Sequence, residues 1–346
     1  FLESGFTQET AAKMVNSALV MKGQEGRPDV APVRDLGEKL IRNVEKVIMG
    51  KSDVIRKVVL CLLADGHILL EDIPGTGKTT LAKAIARSVG CSFSRVQFTP
   101  DLLPSDLTGV SFYNQKEQQF EFKQGAVFTN ILLADEINRA TPRTQASLLE
   151  CMEERQVSVD GVTHRLQAPF LVMATQNPIE IQGTFPLPEA QLDRFLMRLS
   201  MGYPAAEDEK RMLLGFSASS PLDSLSAVAQ ADEVVQAQNI CRRVYAGEAV
   251  CGYIVAIAEA SRTDEGLRYG ASPRASLALL HAAQANAALE GRSYVLPDDV
   301  KAVCTDVLCH RVLCRTARGA QAKTAATEIL RQILVRVPAP TEDALL

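Results

Sequence analysis

Residues 68–80 constrain the possible fold more than any other stretch of the chain. Ile68, Leu69 and Leu70 form a short apolar run, and Pro74-Gly75-Thr76-Gly77-Lys78-Thr79-Thr80 turns from it into a helical pattern. A strand that feeds a helix through a glycine-rich turn belongs to a parallel α/β sheet, whose strands return through helical crossovers. Backbone N–H groups of such a turn point inward, and the helix N-terminus adds partial positive charge, so the segment suits the phosphates of a nucleoside triphosphate. The candidate phosphate-binding residues are Pro74, Gly75, Thr76, Gly77, Lys78, Thr79 and Thr80. Lys78 is expected to reach the β- and γ-phosphates and the Thr79 hydroxyl to ligate Mg²⁺. Asp72 stands at the strand's end where the usual pattern opens with a glycine, and it leaves the turn intact. Downstream, Leu81, Ile85 and Val89 recur with helical spacing and Gly90 closes the segment.

A triphosphate also needs a metal and an activated water. Ile131-Leu132-Leu133-Ala134 reads as a strand buried on both faces, and it ends in Asp135-Glu136. An acidic pair at the carboxyl end of such a strand lies at the crevice where α/β sheets bind ligands. Asp135 is the candidate Mg²⁺ ligand, through its water shell, and Glu136 the candidate base for the attacking water. Phe170–Ala174 is a further buried strand, followed by Thr175, Gln176 and Asn177. The Asn177 amide can hydrogen-bond both a γ-phosphate and the lytic water. Ser272 suits a helix N-cap and Pro273 the first helical position. Arg274 in that first turn opposes the helix dipole, so a nearby phosphate would account for it.

Asp135-Glu136-Ile137-Asn138-Arg139-Ala140, Thr144-Gln145, Met152-Glu153-Glu154-Arg155, Ala174-Thr175-Gln176-Asn177-Pro178 and Leu187-Pro188-Glu189-Ala190-Gln191-Leu192-Asp193-Arg194-Phe195 occur in this order. Together they resemble the MoxR family of AAA+ ATPases, from about residue 34 to the C-terminus. The resemblance implies an ATPase using ATP and Mg²⁺, with Asn177 as sensor 1 and Arg274 as the sensor-2 arginine. Arg194 resembles the arginine finger that reaches a neighbouring subunit's nucleotide, where such residues contribute about 10³–10⁵ in rate. Arg198 is its nearest competitor, though its place inside a strand suits a structural role. A surface ion pair is the plainer alternative for Arg194. Ile48, Met49 and Gly50 resemble the segment over the adenine ring, with Lys51 replacing the commoner Gln. The resemblance further implies a homo-oligomeric ring, a hexamer, doing chaperone-like or maturation work on a protein client. A partner with a von Willebrand factor A domain would act in trans.

The implied fold is a P-loop AAA+ αβα core with a parallel five-stranded sheet, followed by an all-helical lid. We expect an N-terminal extension of no assigned role over 1–33, with a short helix around Ala11–Met21. The core is expected over 34–203 and the lid over 204–346. Alternating residues from Gly109 to Phe122 suggest a hairpin interrupting a helix, and Val157–Leu166 a second hairpin turning at Asp160-Gly161. These resemble the inserts of the clade that also holds magnesium chelatase and minichromosome-maintenance helicases, where they face the ring pore; Phe112 and Tyr113 are the candidate gripping residues.

A net charge of −4 without a long basic run leaves no electrostatic footprint for nucleic acid, and none is expected as a partner. No apolar stretch reaches membrane-spanning length. The eight cysteines lack paired metal spacing, and Cys304, Cys309, His310 and Cys314 spread round a helix. Reduced thiols in a cytoplasmic protein follow. Two rival readings remain: a nucleic-acid translocase, which a DNA-stimulated ATPase would favour, and a nucleotide-switched binding module, which a slow rate unaffected by any partner would favour.

Overall fold

The computed structural model describes residues 26–177, 183–216, 221–316 and 320–340. The helix expected around Ala11–Met21 lies outside the described residues. Two helices, α1 (Ala31–Glu45) and α2 (Ser52–Leu63), precede β1 (Ile68–Glu71), and α3 (Lys78–Val89) follows the glycine turn. Next come β2 (Phe93–Gln97), the short α4 (Pro104–Thr108), the hairpin β3 (Gly109–Asn114) and β4 (Gln119–Gln124), and then β5 (Ile131–Asp135). Helix α5 (Pro142–Glu154) leads to a second hairpin, β6 (Gln156–Val159) and β7 (Val162–Arg165), and back into the sheet at β8 (Leu171–Gln176). The one-turn α6 (Glu189–Leu192) and β9 (Met197–Leu199) complete this part.

Five strands form one parallel sheet in the order β2-β5-β8-β1-β9. Gln97 pairs with Asp135, Ala134 with Ala174, and Leu70 with Thr175. This register brings the carboxyl ends of β2, β5, β8 and β1 to one edge, where parallel sheets present their ligand crevice. Successive side chains alternate faces. Ile68, Leu70, Ile131, Leu133, Leu171 and Met173 pack into one apolar core, while Leu69, Leu132, Ala134, Val172 and Ala174 join Phe98 and Phe195 in the other. Each of these buried Leu, Ile, Val, Met and Phe side chains contributes roughly 1.5–3 kcal/mol, which holds the crevice residues on a rigid frame.

After β9 come the mostly helical elements α7 (Ala206–Phe216), α8 (Ala231–Cys241), α9 (Glu248–Thr263), β10 (Leu267–Tyr269), α10 (Pro273–Leu289), α11 (Pro297–Leu308), β11 (Leu313–Cys314) and α12 (Ala320–Arg336), which hold the expected lid. Beside its helices it carries the small antiparallel pair β10–β11. Leu279, Val300 and Leu330 belong to the same apolar core as Ile68 and Leu133, so packing runs unbroken from the sheet into the lid. The first hairpin follows five residues of helix rather than interrupting a longer one, and Gly109, at φ 94°, begins it. A Cβ there would come within 2.4 Å of the Lys123 carbonyl oxygen, so the neck of the hairpin requires glycine.

Candidate functional site

The turn after β1 has Gly75 at φ 83° and Gly77 at φ 88°, left-handed values that glycine adopts without steric cost. Gly77 caps α3, which aims the helix N-terminus and the N–H groups of its first turn at a cavity of about 400 Å³. Pro74, Gly75, Gly77, Lys78, Thr79 and Thr80 line this cavity; Thr76 does not, and its hydroxyl turns back to the Ile73 carbonyl at 3.4 Å. Lys78 Nζ donates to the carbonyl oxygens of Asp72 at 3.0 Å and Ile73 at 2.9 Å. Burial lowers its pKa, against the raising fields of Asp72, Asp135 and Glu136.

The structure explains the departure at Asp72. Its buried carboxylate accepts from Ser200 Oγ at 2.8 Å, Met201 N at 2.5 Å and Gly202 N at 3.1 Å. The acid therefore ties the start of the phosphate turn to the segment leaving β9, a bond that glycine could not make.

Asp135 and Glu136 face the same cavity from the end of β5. Glu136 takes φ 56° and ψ 50°, a left-handed conformation that costs a non-glycine residue roughly 1–2 kcal/mol. Its N–H donates to Thr175 Oγ1 at 2.8 Å, and that hydroxyl donates to Asp135 Oδ1 at 2.6 Å. Glu136 Oε2 also accepts from Gln97 Nε2 at 2.6 Å and pairs with Arg139 Nε at 3.1 Å. Arg95 Nη2 lies 2.7 Å from Asp135 Oδ2. Asn177, buried at the end of β8, lines the cavity with Thr175 and Gln176. Arg95, Gln97 and Thr175 also line the cavity, though no sequence motif gives them a role. A signal existed: Arg95 and Gln97 lie two apart, hence on one face, at the end of the strand beside Asp135.

Five expected residues lie elsewhere. Arg274 does not line the cavity; its Nη2 pairs with Glu153 Oε1 at 3.0 Å and its Nε with Asp193 Oδ2 at 3.5 Å. These carboxylates, rather than a phosphate of its own subunit, account for an arginine at the start of α10. The expected N-cap is present, since Ser272 Oγ accepts from Ala275 N at 3.1 Å. Ile48, Met49 and Gly50 are likewise absent from the cavity lining: Ile48 is buried in the larger core and Gly50 packs against Asp208 of the lid. Arg194 is also outside the cavity, its Nε 2.9 Å from Glu153 Oε2. Arg198 donates from its Nε to Glu71 Oε2 at 2.9 Å inside the sheet, the structural role expected of it.

The cavity fits a magnesium-bound triphosphate by its donor chemistry. Backbone N–H groups, an ammonium, the Thr79 hydroxyl and a carboxylate converge, and a Cβ on Gly75 would meet no atom within 4 Å, leaving room beside the turn. Elsewhere, burial pushes the thiols of Cys304 to about 12 and Cys309 to about 11, disfavouring the thiolates that bind metal. Among the described residues no group of three His, Cys, Asp or Glu could hold a metal, and no helix is long and apolar enough to cross a membrane.

Comparison with known proteins gives the following matches. The sequence model of the ATPase family associated with various cellular activities (AAA) matches residues 67–197, and that of the AAA lid domain matches residues 259–333. The chain is 46% identical over 302 residues to the uncharacterized protein YeaC of Bacillus subtilis, covering 86% of this chain and 94% of that protein. It is 40% identical over 318 residues to Chaperone MoxR1 of Mycobacterium tuberculosis, covering 89% of this chain and 83% of that one. A crystal structure from Cytophaga hutchinsonii, of a protein assigned as an ATPase, superposes with a TM-score of 0.81 at 36% identity; the match covers 93% of this chain and all of that one.

Proposed function

The chain belongs to the MoxR family of AAA+ ATPases, and we propose that it hydrolyses ATP with Mg²⁺ between subunits of a homo-oligomeric ring, remodelling a partner protein. The observation that carries this reading is a division of the chemistry. Lys78, Thr79, Asp135, Glu136 and Asn177 face one cavity, while Arg194 and Arg274 lie outside it on a shared carboxylate. Such a site is incomplete within one chain and is completed by a neighbour's arginines.

In this reading the turn 74–80 binds the phosphates and Lys78 neutralises their charge. Thr79 and Asp135 hold Mg²⁺, which supplies further charge neutralisation when bound. Glu136 takes a proton from the attacking water, and Asn177 orients that water against the γ-phosphate. Arg194 and Arg274 serve the next subunit's nucleotide. Ile48, Met49 and Gly50 flank the adenine from outside the cavity. The ring is a hexamer in the cytoplasm, and its client is a protein, of which one bearing a von Willebrand factor A domain is the type we favour. The name of the mycobacterial relative, a chaperone, supports the remodelling role.

The test is Glu136→Gln, which keeps size and hydrogen bonding but removes the base. Hydrolysis should fall about 10²–10⁴-fold while ATP affinity is retained. Lys78→Ala should instead lose ATP binding. Native turnover by the Glu136→Gln variant would overturn the assignment of the base.

A further inference from the structure

Arg95 is a cation in the nucleotide cavity to which the reading above gives no task. It stands on the edge strand β2, its side chain 47% exposed, beside an Asp135 carboxylate that is only 14% exposed. Both Nη2, at 2.7 Å, and Nε, at 3.2 Å, donate to Asp135 Oδ2. The other oxygen, Oδ1, accepts from Thr175 Oγ1 at 2.6 Å. The carboxylate assigned to the metal is thus engaged at both oxygens by the chain itself. The guanidinium also continues outward: Arg95 Nη2 donates to Gln97 Oε1 at 3.3 Å, and Gln97 Nε2 donates to Glu136 Oε2 at 2.6 Å. Asp135, Arg95, Gln97 and Glu136 therefore form one chain of hydrogen bonds, from the metal's carboxylate to the base.

Resting on the reading of this cavity as an ATP and Mg²⁺ site, we infer that Arg95 is a counter-ion that the metal displaces from Asp135. Two cations compete for one carboxylate oxygen, so any stabilisation of the Arg95 pair is subtracted from metal binding. The magnitude allows displacement. Partly exposed ion pairs shift an equilibrium by no more than about fivefold, which a divalent ion held between a carboxylate and a triphosphate overcomes.

The sign of one measurement separates this role from an ordinary phosphate-binding arginine. Binding of a fluorescent ATP analogue is measured with excess Mg²⁺ and with a chelator, in a Glu136→Gln background that suppresses turnover. Arg95→Met keeps the aliphatic stem and removes the charge. It should bind the magnesium-loaded analogue about threefold to fivefold more tightly, because the competing ion pair is gone. Arg95→Lys, which keeps the cation, should return the affinity towards the native value. A phosphate-binding arginine would instead give weaker binding on loss of charge, and weaker or unchanged binding overturns the inference. Should Arg95→Met not fold, Arg95→Gln, a polar residue at a half-exposed edge position, carries the same measurement. If the unsubstituted chain binds no more tightly with Mg²⁺ than with chelator, the reading of the cavity falls. If it does and the Arg95 variants show no tightening, only the role of Arg95 falls.

Discussion

Arg194 and Arg274 are joined through one carboxylate: Glu153 Oε2 lies 2.9 Å from Arg194 Nε, and Glu153 Oε1 lies 3.0 Å from Arg274 Nη2. One arginine precedes a core strand and the other begins a lid helix, so Glu153 couples core and lid where both present a cation. Asp193 extends the coupling, pairing with Arg274 at 3.5 Å and with the buried Arg311 at 2.5 Å. Arg311 is held further by the carbonyls of Asp193, Phe195 and Leu196. The arginine pair therefore stands on a buried, well-bonded base.

A composite site predicts complementation between defective chains. Arg194→Ala should bind ATP nearly normally yet lose most turnover, on the order of 10³-fold or more. Mixed with Glu136→Gln chains, it should recover partial activity, because some interfaces then join an intact Glu136 to an intact Arg194. ATPase rates over a range of mixing ratios, with co-assembly verified by native mass spectrometry, test this. Co-assembled mixtures without rescue would sink the in-trans assignment.

The Asp72 carboxylate yields a prediction in the opposite direction from its motif. Restoring the usual glycine should weaken the protein, since it removes the three bonds to Ser200, Met201 and Gly202. Leaving the buried Met201 N–H unpaired costs about 1–3 kcal/mol, and ATP affinity should drop as the turn loses its anchor. Chemical denaturation of Asp72→Gly, with Asp72→Asn as the milder variant, checks this. A glycine variant as stable as the native chain would show the anchor to be dispensable.

The contrast between Lys78 and Arg95 shows what the sequence could reveal. Lys78 was legible because strand, turn and helix are contiguous and their chemistry follows from local backbone geometry. The turn at Asp160-Gly161 was legible for the same reason, with φ of 50° and 79° at those residues. Arg95 was not, because an edge strand with alternating exposure reads as an ordinary solvated face; its meaning comes from lying beside Asp135 across the sheet. Asp72, Glu153 and Arg274 were opaque in the same way. Each acquires its role from a partner far away in the chain, which periodicity does not encode.

Two buried histidines set an acid limit on stability. His67 Nε2 lies 3.0 Å from the Met152 carbonyl and must donate, while Nδ1 accepts from Val172 N at 3.0 Å. Burial, with the nearby Arg155, holds its pKa well below the ordinary 6.5. His310 is likewise depressed by burial and by Arg311, its Nε2 2.9 Å from the Phe195 carbonyl. A depressed folded pKa means that the unfolded chain takes up the proton first. Stability is therefore full above the ordinary value of 6.5 and declines as pH falls below it. The loss approaches about 1.4 kcal/mol per pH unit for each histidine. Melting temperatures across this range should fall with acidification, and His67→Gln should have a shallower pH slope than the native chain. Equal slopes would assign the acid sensitivity to other groups.

The two hairpins bear on what the proposed ring would grip. Tyr113 and Phe120 face each other across the first hairpin with ring centroids 5.4 Å apart, and both are exposed, at 51% and 75%. Phe112, on the opposite face, is 44% exposed. At the base, Phe122 stacks on His164 of the second hairpin at 4.0 Å and 12°, and Phe128 closes on Phe122 edge-on at 5.5 Å. The stack makes the two hairpins one mechanical unit. A loop that tracks nucleic acid needs cations for phosphates beside its aromatic platforms. Here Lys116 and Lys123 are offset by Glu117 and Glu121 on the first hairpin, and Arg165 by Asp160 on the second. Exposed rings without net charge suit a polypeptide better. Replacing Phe112, Tyr113 and Phe120 by Ala should abolish client remodelling while ATP hydrolysis stays within about twofold, since none of the three rings lines the cavity and surface changes are tolerated. His164→Ala, which removes the stack but leaves the rings, should reduce remodelling in part. DNA or RNA at physiological salt should leave the ATPase rate unchanged. Tight, salt-sensitive nucleic-acid binding with several-fold stimulation would replace the remodeller with a translocase.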